Sequence, residues 1–136
     1  MNDFSLKIVT PDGVRYDGIA QGLKVRTTSG DVTILSRHAN YVAPLGMGEA
    51  VVTLEGEKHY GACIGGIVSV MDGAVVLVPT TFEWAKDIDV PRAEASEQKE
   101  KQIIEKEGTS DLELRLAEAR LKRALIRKSV AVRSLK

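Results

Sequence analysis

The chain has 136 residues and a mass of 14.8 kDa, and its 19 Lys and Arg balance 19 Asp and Glu. That length is one domain, or one domain with a small appendage, and it buries roughly two thirds of its unfolded surface, enough to hold a core without disulfides or a structural metal. The neutral balance argues against a uniformly basic, DNA-coating protein, 4% aromatic residues argue against a stacking platform for single strands, and 43% hydrophobic with 28% charged residues reads as soluble and globular.

A single cysteine, Cys63, forms no internal disulfide and suits a reducing compartment. No secretory signal is visible in Met1 to Lys7, and apolar runs such as Ala74 to Pro79 fall far short of the ~20 residues that span a bilayer. Work at a membrane would require a partner to hold the chain there.

Residues 1–84 hold eleven of the twelve glycines and short runs with period-2 character. Strands are predicted at Phe4 to Val9, Gly22 to Thr27, Asp31 to Leu35, Glu49 to Leu54, His59 to Ile64, Gly66 to Met71 and Ala74 to Val78. Pro11-Asp12-Gly13, Ser29-Gly30-Asp31, Glu55-Gly56-Glu57 and Asp72-Gly73 supply the turns. Short strands between tight turns predict an antiparallel β-sandwich.

From Asp87 the texture turns to Ala, Glu, Lys, Arg and Leu. Asp89 as N-cap and Pro91 in the first turn start a helix, over about 90–107, which Gly108 stops. Ser110 with Glu113 is a capping box that opens a second helix over about 111–132, so 85–136 reads as an antiparallel two-helix hairpin. The second helix carries an apolar stripe of Leu114, Ala117, Leu121, Ala124, Leu125 and Val132; the first offers only Ala93, Ala95, Ile103 and Ile104. A seam this thin predicts a hairpin marginally docked on the sandwich and able to leave it.

Charge is segregated too. Residues 87–107 hold 4 basic and 7 acidic groups, residues 108–136 hold 8 and 3, and no acid follows Glu118. Arg120, Lys122, Arg123, Arg127, Lys128, Arg133 and Lys136 fill that tail, with Arg120, Arg123 and Arg127 at helical spacing. They read either as a solvated face whose cations suit a helix C-terminus or as a surface for an acidic partner or a phosphate ligand.

Catalytic constellations are missing from the sequence. Gly13 to Gly18 has P-loop-like glycine spacing but continues Ile-Ala, without the lysine and hydroxyl. His59 and Cys63 share a strand face, yet His38 is the only other imidazole, so a strand histidine and a buried thiol are the expectation, with no metal. Ser36 and His38 are close, but without a strained nucleophile turn no hydrolytic triad is expected. Glu83, Trp84, Asp87, Asp89 and Arg92 gather at the junction between sandwich and helix, where two units can close on a ligand; Asp89 and Arg92 could also simply pair as a cap and a local salt bridge.

At that junction Ile88-Asp89-Val90-Pro91-Arg92-Ala93 resembles the I-D-x-x-R-A nucleotide-recognition motif of the epsilon subunit of the rotary F-type ATP synthase. Ile8-Val9-Thr10-Pro11-Asp12-Gly13 is similar to the family's opening strand and turn, Gly30-Asp31-Val32-Thr33-Ile34-Leu35 to its G-E-x-G-I-L segment, and Gly65-Gly66-Ile67-Val68-Ser69-Val70 to its G-G-x-x-x-V strand. His38-Ala39 falls at the expected place, although Arg37 and Asn40 stand where the family usually has Gly and Pro, and Thr33 where Gly is common. The likeness spans essentially the whole chain.

The resemblance implies a non-catalytic central-stalk subunit, not an enzyme, peripheral on the cytoplasmic face of a bacterial inner membrane. It implies docking of the sandwich on the gamma subunit and the membrane rotor ring of c subunits, with no membrane insertion. The hairpin would inhibit ATP hydrolysis by extending toward the alpha/beta catalytic head, with Arg115, Arg120, Lys122, Arg123, Arg127 and Lys128 meeting an acidic segment of beta. ATP, bound but not hydrolysed, would stabilise the folded state through Glu83, Ile88, Asp89, Arg92, Ala93, Arg123 and Arg127. Rival readings are a small β-sandwich enzyme and a nucleic-acid module built on the basic helix; neither a metal nor a covalent cofactor is expected.

Overall fold

The computed structural model describes residues 3–135. The chain forms two compact units, residues 1–84 and 85–136. The first is a sandwich of ten strands: β1 (Phe4–Thr10), β2 (Gly13–Ala20), β3 (Gly22–Thr27), β4 (Gly30–Ile34), β5 (Tyr41–Pro44), β6 (Met47–Leu54), β7 (Glu57–Ile64), β8 (Ile67–Met71), β9 (Ala74–Val78) and β10 (Thr81–Trp84). One five-stranded sheet runs β2-β1-β9-β8-β5 and the other β10-β7-β6-β3-β4. Alternation in β1 sends Phe4, Leu6 and Ile8 inward, where they meet Leu23, Val25, Ile34, Val52, Val68 and Leu77 in a continuous apolar core.

Three strands are absent from the sequence prediction, β2, β5 and β10, and all three are sheet edges. An edge strand has one hydrogen-bonding neighbour and tolerates Pro44, Gly18 or a four-residue length, so its sequence lacks a strong alternating signature. One pairing is not antiparallel: β1 lies parallel to β9, with Leu6 opposite Val75 and Ile8 opposite Leu77. The turns at Glu55-Gly56 and Asp72-Gly73 have positive φ at both central residues, 51° and 80° in the first and 49° and 83° in the second. That geometry matches the twist of the flanking strands and explains glycine at the second position.

The two sheets are laced at one side. In the pairing of β1 with β2, Ile8 faces Tyr16 and Val9 faces Val14, leaving Arg15 as a bulge. Arg15 Nε donates to the Phe82 carbonyl at 3.3 Å, and Trp84 Nε1 donates to the Arg15 carbonyl at 3.2 Å. The bulge therefore ties the edge of one sheet to the edge of the other and satisfies the indole N–H.

The second unit opens with a 3-10 turn (Ala85–Asp87), followed by α1 (Val90–Glu105), α2 (Asp111–Ala131) and a closing 3-10 turn (Val132–Leu135). Asp89 caps α1, its Oδ1 accepting from the Arg92 amide at 3.1 Å, with Pro91 in the first turn. Ser110 caps α2, its Oγ accepting from the Glu113 amide at 3.2 Å. The first helix stops two residues earlier than Glu107: Lys106 is already extended, and the Thr109 hydroxyl lies 3.1 Å from the Ile103 carbonyl and 3.0 Å from that of Lys106. A side-chain hydroxyl thus satisfies orphan carbonyls at the C-terminus, and Gly108, at φ 80°, turns the chain.

The seam between α1 and α2 differs from the apolar expectation. On α1 the buried residues are Ala93, Glu97 and Glu100, and Ala95 is exposed. On α2 Ala117, Ala124, Val130 and Ala131 are buried, whereas Leu125 and Val132 are 44% and 53% exposed. Positions 93, 97, 100 and 104 are spaced as a heptad seam, so the two glutamates occupy places that a purely apolar count skips.

Candidate functional site

Six of the seven residues assigned to a nucleotide belong to the hairpin unit, and Glu83 belongs to the sandwich, on β10 opposite Ala62. Asp89 and Arg92 come together through the N-cap, a contact to the Arg92 backbone, so the guanidinium is exposed and not consumed by the cap. The Ala93 amide donates to the Asp89 carbonyl at 3.0 Å, and Ile88 and Ala93 are buried beside them in sequence. Arg123 and Arg127 are half-buried on α2.

Two ion pairs fix the antiparallel register, Glu97 with Lys128 at 2.6 Å and Glu100 with Arg120 at 3.8 Å. At 1.5 Å per residue they place Arg127 roughly one turn and Arg123 roughly two turns along the axis from the level of Arg92. The three arginines are thus staggered along the hairpin axis.

Of the six cations assigned to an inhibitory contact, Arg115 and Lys122 are exposed, and Lys128 and Arg120 are engaged by α1. Lys128 donates to Glu97 Oε1 at 2.6 Å and Lys101 to Glu97 Oε2 at 2.7 Å. Hydrogen bonds from Lys101 and then Lys128 hold the Glu97 carboxyl below its ordinary value, and the bond to Glu97, with the charges of Glu97 and Glu94, holds the Lys128 ammonium above its own. The acidic first helix is thus a counterion for the basic second one. Lys136 lies outside the described residues. An open cleft of about 450 Å³ sits at the hairpin tip, at the opposite end from Arg92, lined by Ile103, Lys106, Thr109, Glu113, Leu116 and Arg120 among others.

The other candidates resolve into local structure. Ser36 Oγ donates to the Asp3 carbonyl while His38 Nδ1 lies 2.7 Å from the Ala39 carbonyl, so no Ser-His pair forms. His59 meets the Trp84 ring edge-on, centroids 6.4 Å apart, and burial pushes the Cys63 thiol up to about 12. Among the described residues no cluster of three or more potential metal ligands occurs, and no helix is long and apolar enough to cross a membrane. Gly13 and Gly18 lie within a strand, not in a loop before a helix.

One feature escapes the sequence reading. The outer face of the first sheet exposes Val42, Ile67, Met71 and Val78, at 63%, 51%, 53% and 46%. Ile67 pairs directly with Val78, Met71 with Ala74 and Val42 with Ser69, so the four apolar side chains share one sheet face around Ser69. The signal was present in Ala74-Val75-Val76-Leu77-Val78, a run apolar on both faces where a strand with one face in water would alternate.

The fold is a two-sheet sandwich with apolar residues exposed on one outer face, followed by a capped two-helix hairpin held by an ion pair. Residues 3–85 match the family model described as ATP synthase, Delta/Epsilon chain, beta-sandwich domain. The chain is 43% identical over 130 residues, 94% of this chain and 96% of the relative, to the ATP synthase epsilon chain of Ruminococcus albus. It superposes on a chain of the Euglena gracilis mitochondrial ATP synthase with a TM-score of 0.79 at 19% identity, covering 91% of this chain and 78% of that one. A chain from the central stalk and c-ring structure of the Tetrahymena thermophila mitochondrial ATP synthase gives 0.64 at 11% identity, covering 93% and 95%; at these identities both show the fold. The chain belongs to the ATP synthase epsilon-chain family.

Proposed function

We propose that this chain is a non-catalytic central-stalk subunit of a proton-translocating ATP synthase, peripheral on the cytoplasmic face of a bacterial inner membrane. The observation that carries the docking part is the apolar sheet face of Val42, Ile67, Met71 and Val78, a surface suited to a protein partner, for which the gamma subunit is proposed. The rotor ring of c subunits is the second partner of the sandwich. Co-purification with gamma is the test. Wild-type chain is expected to be retained, and Ile67→Asp with Val78→Asp is expected to abolish retention while leaving the inward-facing core intact. Retention of that double variant at wild-type level would remove the assignment of this face.

The hairpin is the regulatory part of the proposal: extended toward the alpha/beta head it inhibits ATP hydrolysis, and folded it does not. Engagement of Lys128 by α1 supports this, because opening the hairpin releases that cation for an acidic partner. ATP is the proposed ligand of the folded state, through Glu83, Ile88, Asp89, Arg92, Ala93, Arg123 and Arg127. Support comes from the 88–93 motif, the exposed Arg92 guanidinium and the axial stagger of the arginines. Isothermal titration of the chain with ATP is expected to show saturable binding that Arg92→Ala weakens at least ~10-fold, the loss of a charge-assisted phosphate contact. Unchanged affinity in Arg92→Ala would remove that residue from the site.

A further inference from the structure

The seam between α1 and α2 buries two carboxylates in opposite circumstances. Both oxygens of Glu97 are filled by short bonds, from Lys101 at 2.7 Å and Lys128 at 2.6 Å. Glu100, three residues on along the same face, is 2% exposed. Its Oε1 is 3.8 Å from Arg120 Nη1, beyond hydrogen-bond reach, and its Oε2 has no hydrogen-bond partner among the described residues. A carboxylate withdrawn from water and left with an unfilled oxygen destabilises the state that buries it. Arg120 does not share the penalty, because 52% of its side chain is exposed and water solvates it with or without Glu100.

We propose that Glu100 is the element that keeps the closed hairpin near its opening point, while Glu97 with Lys128 fixes the register in which it closes. Separation of α1 from α2 returns Glu100 to water and removes its penalty, so the residue biases the equilibrium toward the separated state by as much as it lacks in partners. Its place in the seam makes the bias specific. At the 93, 97, 100, 104 spacing an apolar residue at 100 would complete a continuous contact with α2, and a glutamate there interrupts it. The inference rests on the reading of the hairpin as a movable arm and names the residue that tunes the movement.

The test uses the full chain and amide hydrogen exchange read by mass spectrometry. Glu100→Leu is expected to slow exchange across α1 roughly five- to hundredfold, the range for relieving one buried unsatisfied group, with sandwich peptides unchanged. Glu100→Gln, which removes the charge and keeps the shape, is expected to move the same way by less, and Glu97→Gln to speed exchange. Unchanged or faster exchange in both Glu100 variants, with helical circular dichroism retained, overturns the proposal. Reassembly with the other ATP synthase subunits separates the two readings. Slowed exchange with wild-type inhibition of hydrolysis leaves the seam proposal standing and removes the inhibitory reading, whereas altered inhibition without any change in exchange removes the seam proposal.

Discussion

Asp89 holds the first turn of α1 with Oδ1, which leaves Oδ2 as the oxygen that a ligand hydroxyl or amino group could reach without dismantling the cap. Capping and binding can therefore be separated at one position. Asp89→Ala is expected to destabilise the hairpin by about 1 kcal/mol in thermal unfolding, the typical cost of a lost cap, and Asp89→Ser to recover most of that. Loss of ATP affinity in Asp89→Ser, with stability restored, would assign the carboxylate itself to the ligand. Gly61 is constrained in a different way: a Cβ there would collide with the Phe82 ring, which lies across the backbone of β7. Gly61→Ala should cost about 1–3 kcal/mol of sandwich stability in denaturant unfolding, as overpacking does. Nearby, Cys63 keeps its proton through the neutral range because burial raises its thiol to about 12. Alkylation by iodoacetamide at neutral pH is expected only as fast as the sandwich unfolds; rapid labelling of native chain would contradict the burial.

Between its two helices, the hairpin is held by a titratable bond, Glu97 with Lys128. Glu97 is depressed in the folded chain, so its stabilisation is complete above the ordinary value of 4.5 and disappears as pH falls through the lowered value. Lys128 is raised, so its stabilisation is complete below 10.5 and disappears as pH rises through the higher value. Helix content of 85–136 should hence stay level between these limits and fall outside both, at pH values where the fluorescence of Trp84 still reports a folded sandwich. A loss of helix in the middle of that window would mean that the pair does not hold the hairpin. This carboxylate key also marks where sequence reading stopped. Strands β1, β3, β4, β6, β7, β8 and β9 were legible because each alternates or carries a continuous apolar run, and both helix starts were legible from Asp89 and Ser110. The edges β2, β5 and β10 were not, since Gly18 interrupts β2, β5 and β10 span only four residues each, and β5 ends in Pro44. Nor was the α1 seam, because Glu97 and Glu100 are buried by what faces them across the hairpin and not by their own polarity.

For the whole molecule, the equality of 19 positive and 19 negative charges conceals a pairing of segments. The acidic first helix and the basic second helix neutralise one another when closed, and each presents its own sign when parted. Raising salt screens the exposed share of that attraction and leaves the apolar core of the sandwich untouched. The hairpin should accordingly exchange amide hydrogens faster in high salt while the protection of β1, β3 and β6 is constant. Uniform behaviour of both units would show that charge does not govern the arm. The candidate nucleotide residues were legible only as a motif, 88–93 with two arginines. Their axial stagger required the register that Glu97 and Lys128 set. The apolar sheet face required the tertiary fold, since a run apolar on both sides does not say which side remains open.

The hydrogen bonds of Arg15 with Phe82 and Trp84 have a mechanical meaning. Apolar contacts between the sheets of a sandwich resist separation but slide readily, because they have no direction. Bonds that cross from the bulge of β2 to β10 are directional, and they lie at the rim, where a twisting load displaces one sheet most relative to the other. A small sandwich fastened in this way resists the twisting of one sheet against the other, a property that suits the rotor role proposed for it.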